Sequence, residues 1–378
     1  MKKLITTVGT SLFDNYRKEK KDIEGYYESI KEVSFKDCDE YTNCIERIKK
    51  SITNYYSKRL PDDASAEIKS MRKIKRYLKE DIEVYLLATD TIASFVAAST
   101  IKEFLEKENF KVYFNPQNDV IKGLQVKDKQ IFLNQGLPNL VRRIENITGG
   151  YYQGAIFNIS GGYKAVIPYL TLMAQINGCE MYYVFEDTEE LIEIPPGPIT
   201  LKNEVFDLFN REFMELKAGI DNYAKWEENH YEFVKAARAC IEVYDNMAVL
   251  SPIGEILLGN YTNRFCVFFA TDEVIEKIRR NETLARVVVK FLSVESIRRS
   301  KTQFKGTKIK HKVYDDGDND YRIVYDEKDN QIYIYAIFDY EPDEVKFLKD
   351  PEQSNKLEKY RFKLYKIDKQ SLNCELLN

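Results

Sequence analysis

The sequence predicts two folded regions of different class: an α/β domain over residues 1–199 and a small α+β domain with an antiparallel sheet over residues 263–378, joined by a helical connector over residues 200–262. Three observations carry this reading. From Met1 to Ile199, short β-rich apolar runs alternate with amphipathic helical stretches, the pattern of a Rossmann-like, mostly parallel sheet covered by helices. The alternation stops at Ile194-Pro195-Pro196-Gly197-Pro198, a stiff exit. Beyond Arg264, helical stretches precede strands linked by turn-rich hairpins.

In order, the first domain's strands are expected at Leu4–Val8, Val84–Ala88, Val112–Phe114, Ala155–Ile159 and Met181–Phe185. Helices are expected near Tyr41–Lys58, Ala64–Lys79, Ile92–Lys107, Gln130–Ile147 and Ala165–Ile176. The connector reads as helices at Val205–Leu216 and His230–Tyr244, then a short helix capped by Ser251 with Pro252 in its first turn. In the last region a strand (Phe265–Phe269) leads to helices at Asp272–Arg280 and Thr283–Phe291. A meander follows, with strands near Lys308–Tyr314, Tyr321–Tyr325 and Ile332–Phe338.

At 44% hydrophobic and 31% charged residues the composition is that of a folded protein and excludes disordered or collagen-like classes. A formal charge of -4 makes the chain neither a basic nucleic-acid coat nor an acidic tail protein. The apolar runs fall short of the ~20 residues of a membrane span. The opening Met1–Gly9 is too short and polar for a secretion signal, so a cytoplasmic protein with no membrane partner is expected. Six scattered cysteines without C-x2-C spacing, and two histidines, support neither a disulfide framework nor a zinc site, and no metal is expected.

Three strands of the first domain end in similar turns: Gly9-Thr10-Ser11, Thr89-Asp90-Thr91 and Ser160-Gly161-Gly162-Tyr163-Lys164. Ligands of open α/β sheets sit at the carboxyl ends of strands, where glycine admits a close backbone approach and helix N-termini offer N–H groups to anions. With the hydroxyls and Lys164 added, the set suits a phosphate-bearing ligand; the plainer reading is helix capping and turning. No Walker or dinucleotide glycine motif is present. Thr6-Thr7-Val8-Gly9-Thr10-Ser11-Leu12, Asn158-Ile159-Ser160-Gly161-Gly162-Tyr163-Lys164 and Tyr182-Tyr183-Val184-Phe185-Glu186 running to Ile192-Glu193-Ile194-Pro195-Pro196 resemble, in that order, the CARF domains of CRISPR-associated proteins, over residues 1–199. The resemblance implies a homodimer through this domain that binds a cyclic oligoadenylate, most often cyclic tetra-adenylate, as activator rather than cofactor. Matching implies Gly9, Thr10, Ser11, Thr89, Asp90, Ser160, Gly161, Gly162 and Lys164 as cleft residues.

Past residue 260 the charge is near +2 and before it near -6, and the excess is local: Arg298, Arg299, Lys301, Lys305, Lys308, Lys310 and Lys312 fall in a run of fifteen residues without an acid. Strand alternation puts Lys308, Lys310 and Lys312 on one face, and pairing Lys312 with Arg322 would add Arg322, Tyr333 and Tyr335 beside them. The other face, with Ile309, Val313, Ile323, Tyr325, Ile332, Ile334 and Phe338, would pack on the helices. Cations beside aromatics suit single-stranded RNA. His311 falls on the core side, which favours a structural role.

This order, with Tyr321-Arg322-Ile323-Val324-Tyr325 after the paired lysines, resembles the RelE superfamily of ribosome-dependent mRNA interferases, over residues 263–348. The resemblance implies metal-independent cleavage of mRNA on the ribosome by 2′-hydroxyl attack. Lys310, Lys312 and Arg322 match catalytic positions, and Lys346 stands where the toxins have a late tyrosine; Lys308, Tyr333 and Tyr335 would hold RNA. The family's late arginine has no match. Two other classes compete. A metal-dependent PD-(D/E)-x-K nuclease would use Asp329 or Asp339 with Glu344-Val345-Lys346, although Pro342 is expected to leave that motif in a loop. A transcription regulator would use Phe233–Leu258, which holds few cations. An Arg-x4-His ribonuclease is excluded, since Lys225 and Gly306 precede the two histidines.

Overall fold

Strand β1 (Lys2–Val8) is buried on both faces: Leu4 and Val8 belong to one apolar core and Ile5 to a second. Neighbouring side chains on a strand point to opposite faces, so a strand apolar throughout needs helices on both sides. The computed structural model supplies them. It describes residues 1–378 except Val126, residues 186–189, Lys308, Asn330, Pro351, Glu352, residues 354–356 and Asn378.

The chain divides into two compact units, Met1–Lys202 with Arg211–Asn260, and Asn203–Asn210 with Tyr261–Asn378. In the first, β2 (Ile82–Thr89), β3 (Lys111–Tyr113), β4 (Val120–Ile121), β5 (Ala155–Asn158), β6 (Glu180–Val184) and β7 (Leu191–Ile194) join β1 in the order β3-β2-β1-β5-β6-β7, with β4 pairing beyond β3's reach on β2. All pairs are parallel except β6–β7. Helices Ala66–Leu78 and Ile92–Lys107 cover one face, and helices Leu137–Thr148 and Ile167–Ile176 the other. Strand order reverses between β1 and β5, which makes their carboxyl ends the switch point of the sheet.

The expected strands lie within a residue or two of β1, β2, β3, β5 and β6. Helices Ser11–Glu19 and Glu24–Ile30 and strands β4 and β7 were not anticipated. The expected helix Gln130–Ile147 contains a π-helical turn at Phe132–Gly136, where a Cβ on Gly136 would lie 2.4 Å from the Gly123 carbonyl oxygen. The connector is not wholly helical: β8 (Ile241–Tyr244) and β9 (Met247–Leu250) form a hairpin whose two turn residues, Asp245 and Asn246, both have positive φ. That is the type I′ geometry whose twist matches the flanking strands.

In the second unit, β10 (Phe265–Ala270), β11 (Thr302–Lys305), β12 (His311–Tyr314), β13 (Arg322–Lys328), β14 (Gln331–Phe338), β15 (Lys363–Asp368) and β16 (Cys374–Leu376) form a sheet in the order β11-β12-β13-β14-β10-β15-β16. The strands are antiparallel except at β10–β14. Helices Asp272–Arg280 and Glu282–Ser293 pack on one face through Ile275, Ile278, Val288 and Phe291. The opposite face is covered too: Val313, Val324, Tyr335 and Leu348 form a second core with Phe338, Phe347, Tyr360 and Phe362. The expected open cationic face is therefore corrected: Val313 and Phe338, expected to pack on the helices, share this second core with Tyr335, expected beside the lysines, and β12 begins at His311, so Lys310 precedes the strand. The cover of this face comes from helix Glu341–Lys349 and from residues 360–362, neither of which was anticipated. Pro342 sits in the first turn of that helix, where a missing N–H costs nothing, so the Glu344-Val345-Lys346 motif is helical rather than in a loop. All six cysteines are free. Among the described residues, no helix is long and apolar enough to cross a membrane.

Candidate functional site

At the switch point the turns after β1 and β5 converge on one carboxylate. Glu67, in the first turn of helix Ala66–Leu78, is 1% exposed. Its Oε1 accepts from the Gly9 N–H (3.0 Å) and the Gly162 N–H (3.1 Å), and its Oε2 from the Ser11 hydroxyl (2.7 Å). Gly9, Ser11 and Gly162 were expected to present donors to a ligand phosphate; those donors are already engaged by the chain's own anion. The glycines are needed for this packing. Gly162 has φ +87° and a Cβ there would lie 2.3 Å from Thr7 Oγ1, while a Cβ on Gly161 would lie 2.6 Å from the Glu67 carboxylate.

Ser11 and Ser160 line one cleft of about 380 Å³, with Asn15, Lys18 and Lys69 on its walls. Ser160 Oγ accepts from the Val184 N–H (2.8 Å), which ties the β5 turn to β6. Thr10 is the N-cap residue of helix Ser11–Glu19; its carbonyl accepts from Phe13 and Asp14, and its hydroxyl lies 3.4 Å from Asp14 Oδ2. Lys164 is exposed at the start of a 3-10 turn.

Thr89 and Asp90 do not join this cleft. Asp90 lines a separate cavity of about 390 Å³ with Thr91, Lys36, Lys122 and Lys127. Its carboxylate accepts from Ser34 Oγ (3.2 Å) and the Gly123 N–H (2.8 Å), and the Thr89 hydroxyl lies 3.3 Å from that of Thr91. Thr91 caps helix Ile92–Lys107 through the Ser94 N–H (3.1 Å), so here the capping reading holds.

In the second unit the cation run is threaded among acids distant in sequence. Arg298 is buried, with its Nε 3.1 Å from Glu327 Oε1. Lys312 lies 3.1 Å from Asp326, and Lys305 lies 2.9 Å from Glu344. Arg322 Nε faces Asp315 at 3.4 Å and Glu344 at 3.5 Å, and its Nη1 donates to the Asp320 carbonyl. The expected opposition of Lys312 and Arg322 is corrected: Lys312 pairs with Tyr325, and Arg322 pairs with Phe338. The cause is a longer loop. Lys290 bonds both Asp316 (3.0 Å) and Asp318 (2.9 Å), drawing the residues before Arg322 onto the helix. Burial pushes the Asp316 carboxyl up, but the hydrogen bond and charge of Lys290 outweigh it and leave the group below the ordinary carboxylate range.

Lys310 donates to the Gly306 carbonyl (2.7 Å), and Lys346 is exposed on helix Glu341–Lys349. Tyr335 is buried and stacks on Tyr360 with centroids 4.7 Å apart, which removes it as a base platform. Half-buried Tyr333 stacks on Phe269 at 4.5 Å. Lys308 lies outside the described residues. His311 is 1% exposed, with Nδ1 3.0 Å from the Tyr335 hydroxyl and Nε2 without a hydrogen-bond partner among the described residues. Its pKa is lowered by burial, which fits the structural role. Among the described residues, no three His, Cys, Asp or Glu side chains group as a metal site.

Glu67 is missed by sequence reasoning, and Glu344 enters it only through the metal-nuclease alternative, not as the partner of Lys305 and Arg322. Each offered one signal, a carboxylate on an apolar helical face: Glu67 with Met71 and Ile74, and Glu344 with Leu348.

The first unit is an α/β domain with glycine-lined turns at the switch point of its sheet, and part of it has a counterpart among known proteins. Residues 62–197, which include Glu67, the second and fifth strands and Lys164, match the family described as CRISPR-associated protein (Cas_APE2256). No curated protein matches the chain. Among solved structures, Can2 from Sulfobacillus thermosulfidooxidans in complex with cyclic tetra-adenylate is similar at 13% identity, over 67% of this chain and 69% of that one. The TM-score of that similarity is 0.19.

Proposed function

We propose that this chain is an effector of CRISPR defence in which the first unit senses a cyclic oligoadenylate, cyclic tetra-adenylate in the first instance, and the second unit is an endoribonuclease. The observation that carries this reading is the convergence of the Gly9 and Gly161-Gly162 turns at the β1–β5 switch point, partly within the segment that matches a CRISPR-associated family. With Gly9, Ser11 and Gly162 engaged by Glu67, the groups left for the ligand are Thr10, the Ser160 end of the cleft and the exposed cation of Lys164. A symmetric ring is held most simply by a two-fold homodimer, in which each copy offers the same donors to half the ligand.

In the second unit the proposed chemistry is attack of a ribose 2′-hydroxyl on the adjacent phosphate of mRNA held on the ribosome. It expels the 5′-oxygen and leaves a 2′,3′-cyclic phosphate. Arg322 would stabilise the charge that develops on the phosphorane oxygens. Lys310, Lys312 and Lys346 are the candidates for proton transfer, and Lys308 and Tyr333 for binding RNA. The resemblance of Tyr321–Tyr325 and the paired lysines to the RelE interferases supports this assignment.

The test of the sensor half is calorimetric titration of cyclic tetra-adenylate into the wild-type chain and Lys164→Ala. Binding that weakens at least tenfold in the variant supports the cleft, and equal binding removes Lys164 from it.

A further inference from the structure

Glu67 and Glu344 both sit where phosphate was expected, yet they are anchored differently. Glu67 opens a helix fixed by Ile68, Met71 and Ile74, each 0% exposed. Glu344 lies on helix Glu341–Lys349, whose buried apolar anchor is Leu348, with Phe347 half-buried against the rings of His311 and Phe338. The Glu344 carboxylate is 2% exposed. It spans β12, taking Lys305 at the end of β11 on Oε1 (2.9 Å) and facing Arg322 at the start of β13 with Oε2 (3.5 Å).

Two cations on one buried oxyanion is the arrangement that also holds a phosphodiester, since carboxylate and phosphate oxygens compete for the same N–H donors. Both anions together would place like charges in contact in a partly dry site. The buried Glu344 carboxylate, which alone faces both Lys305 and Arg322, must therefore leave for a phosphate to enter.

We propose that Lys305 and Arg322 form a binding site for a phosphodiester of single-stranded RNA, and that Glu344 holds this site closed until RNA displaces it. The proposal rests on the ribonuclease reading of this unit and adds Lys305 and Glu344 to it. Helix Glu341–Lys349 is then a lid whose release uncovers the two cations.

The experiment is fluorescence anisotropy with the full chain and a 2′-O-methyl single-stranded oligonucleotide, which cannot be cut by 2′-hydroxyl attack. Glu344→Gln is expected to bind at least fivefold more tightly than wild type, and the gain should vanish in Glu344→Gln/Arg322→Ala. Binding that is unchanged or weaker, or a gain that persists without Arg322, overturns the proposal. Should Glu344→Gln not fold, hydrogen exchange of the wild-type chain decides: saturating oligonucleotide should speed exchange in residues 341–349, and undiminished protection overturns the proposal. A wild-type chain that never cuts RNA defeats the ribonuclease reading, whereas the binding cycle judges Glu344 separately.

Discussion

Glu67 holds two backbone N–H groups and a hydroxyl, so Glu67→Ala strands those donors in a buried site. An unsatisfied buried polar group costs ~1–3 kcal/mol, and the loss expected for Glu67→Ala is about 2–4 kcal/mol. Glu67→Gln should lose less, because its Oε1 can still accept from Gly9 and Gly162. The single tryptophan, Trp226, lies within the first unit, so urea unfolding followed by its fluorescence reads this unit directly. Equal stability of Glu67→Ala and wild type would show that the carboxylate does not hold the turns together. The glycine motifs were legible because a positive φ and a close backbone approach leave a signature in residue type. The anion they enclose was not, because Glu67 stands 58 residues from Gly9 and 95 from Gly162, and nothing in the helix names its partners.

Helix Asp272–Arg280 and strand β14 were readable from apolar periodicity alone, whereas the register of β12 on β13 depends on Lys290 reaching the loop between them. Hairpin β8–β9 carried a local signal, Asp245-Asn246 between alternating residues, that the helical reading of the connector passed over. Covering the second face of the sheet has a pH consequence. His311 lies between Tyr335 and Phe347, and burial lowers its pKa below the ordinary 6.5. Below that value the unfolded chain binds a proton that the folded one resists. Stability of the second unit is thus full above about pH 6.5 and falls as the pH drops through the lowered folded value. Thermal melting at pH 7.5 and 5 should show a smaller drop for His311→Phe than for wild type, and an equal drop would mean that His311 does not titrate across this range. The Asp316 carboxyl, also depressed, adds a loss at still lower pH that this variant leaves in place.

At the scale of the whole chain, a near-neutral balance conceals charges that are locally matched: Lys305, Lys312, Arg298 and Arg322 each meet an acid, and Gly9, Ser11 and Gly162 meet Glu67. A sequence shows a cation run, but it cannot show which distant acids neutralise it, and so the proposed nucleic-acid face reads more open in sequence than in structure. For a sensor to drive a nuclease, the activator must bind the active arrangement more tightly than the resting one. The most direct measurement is mRNA integrity in a reconstituted translation reaction, with and without cyclic tetra-adenylate, comparing ribosome-bound with free RNA and wild type with Arg322→Ala. The account predicts cuts that require the ring, fall on translating mRNA, persist in EDTA on any free RNA that is cut, and disappear in Arg322→Ala. Intact mRNA in the presence of the ring, or cutting that Arg322→Ala retains, would contradict it.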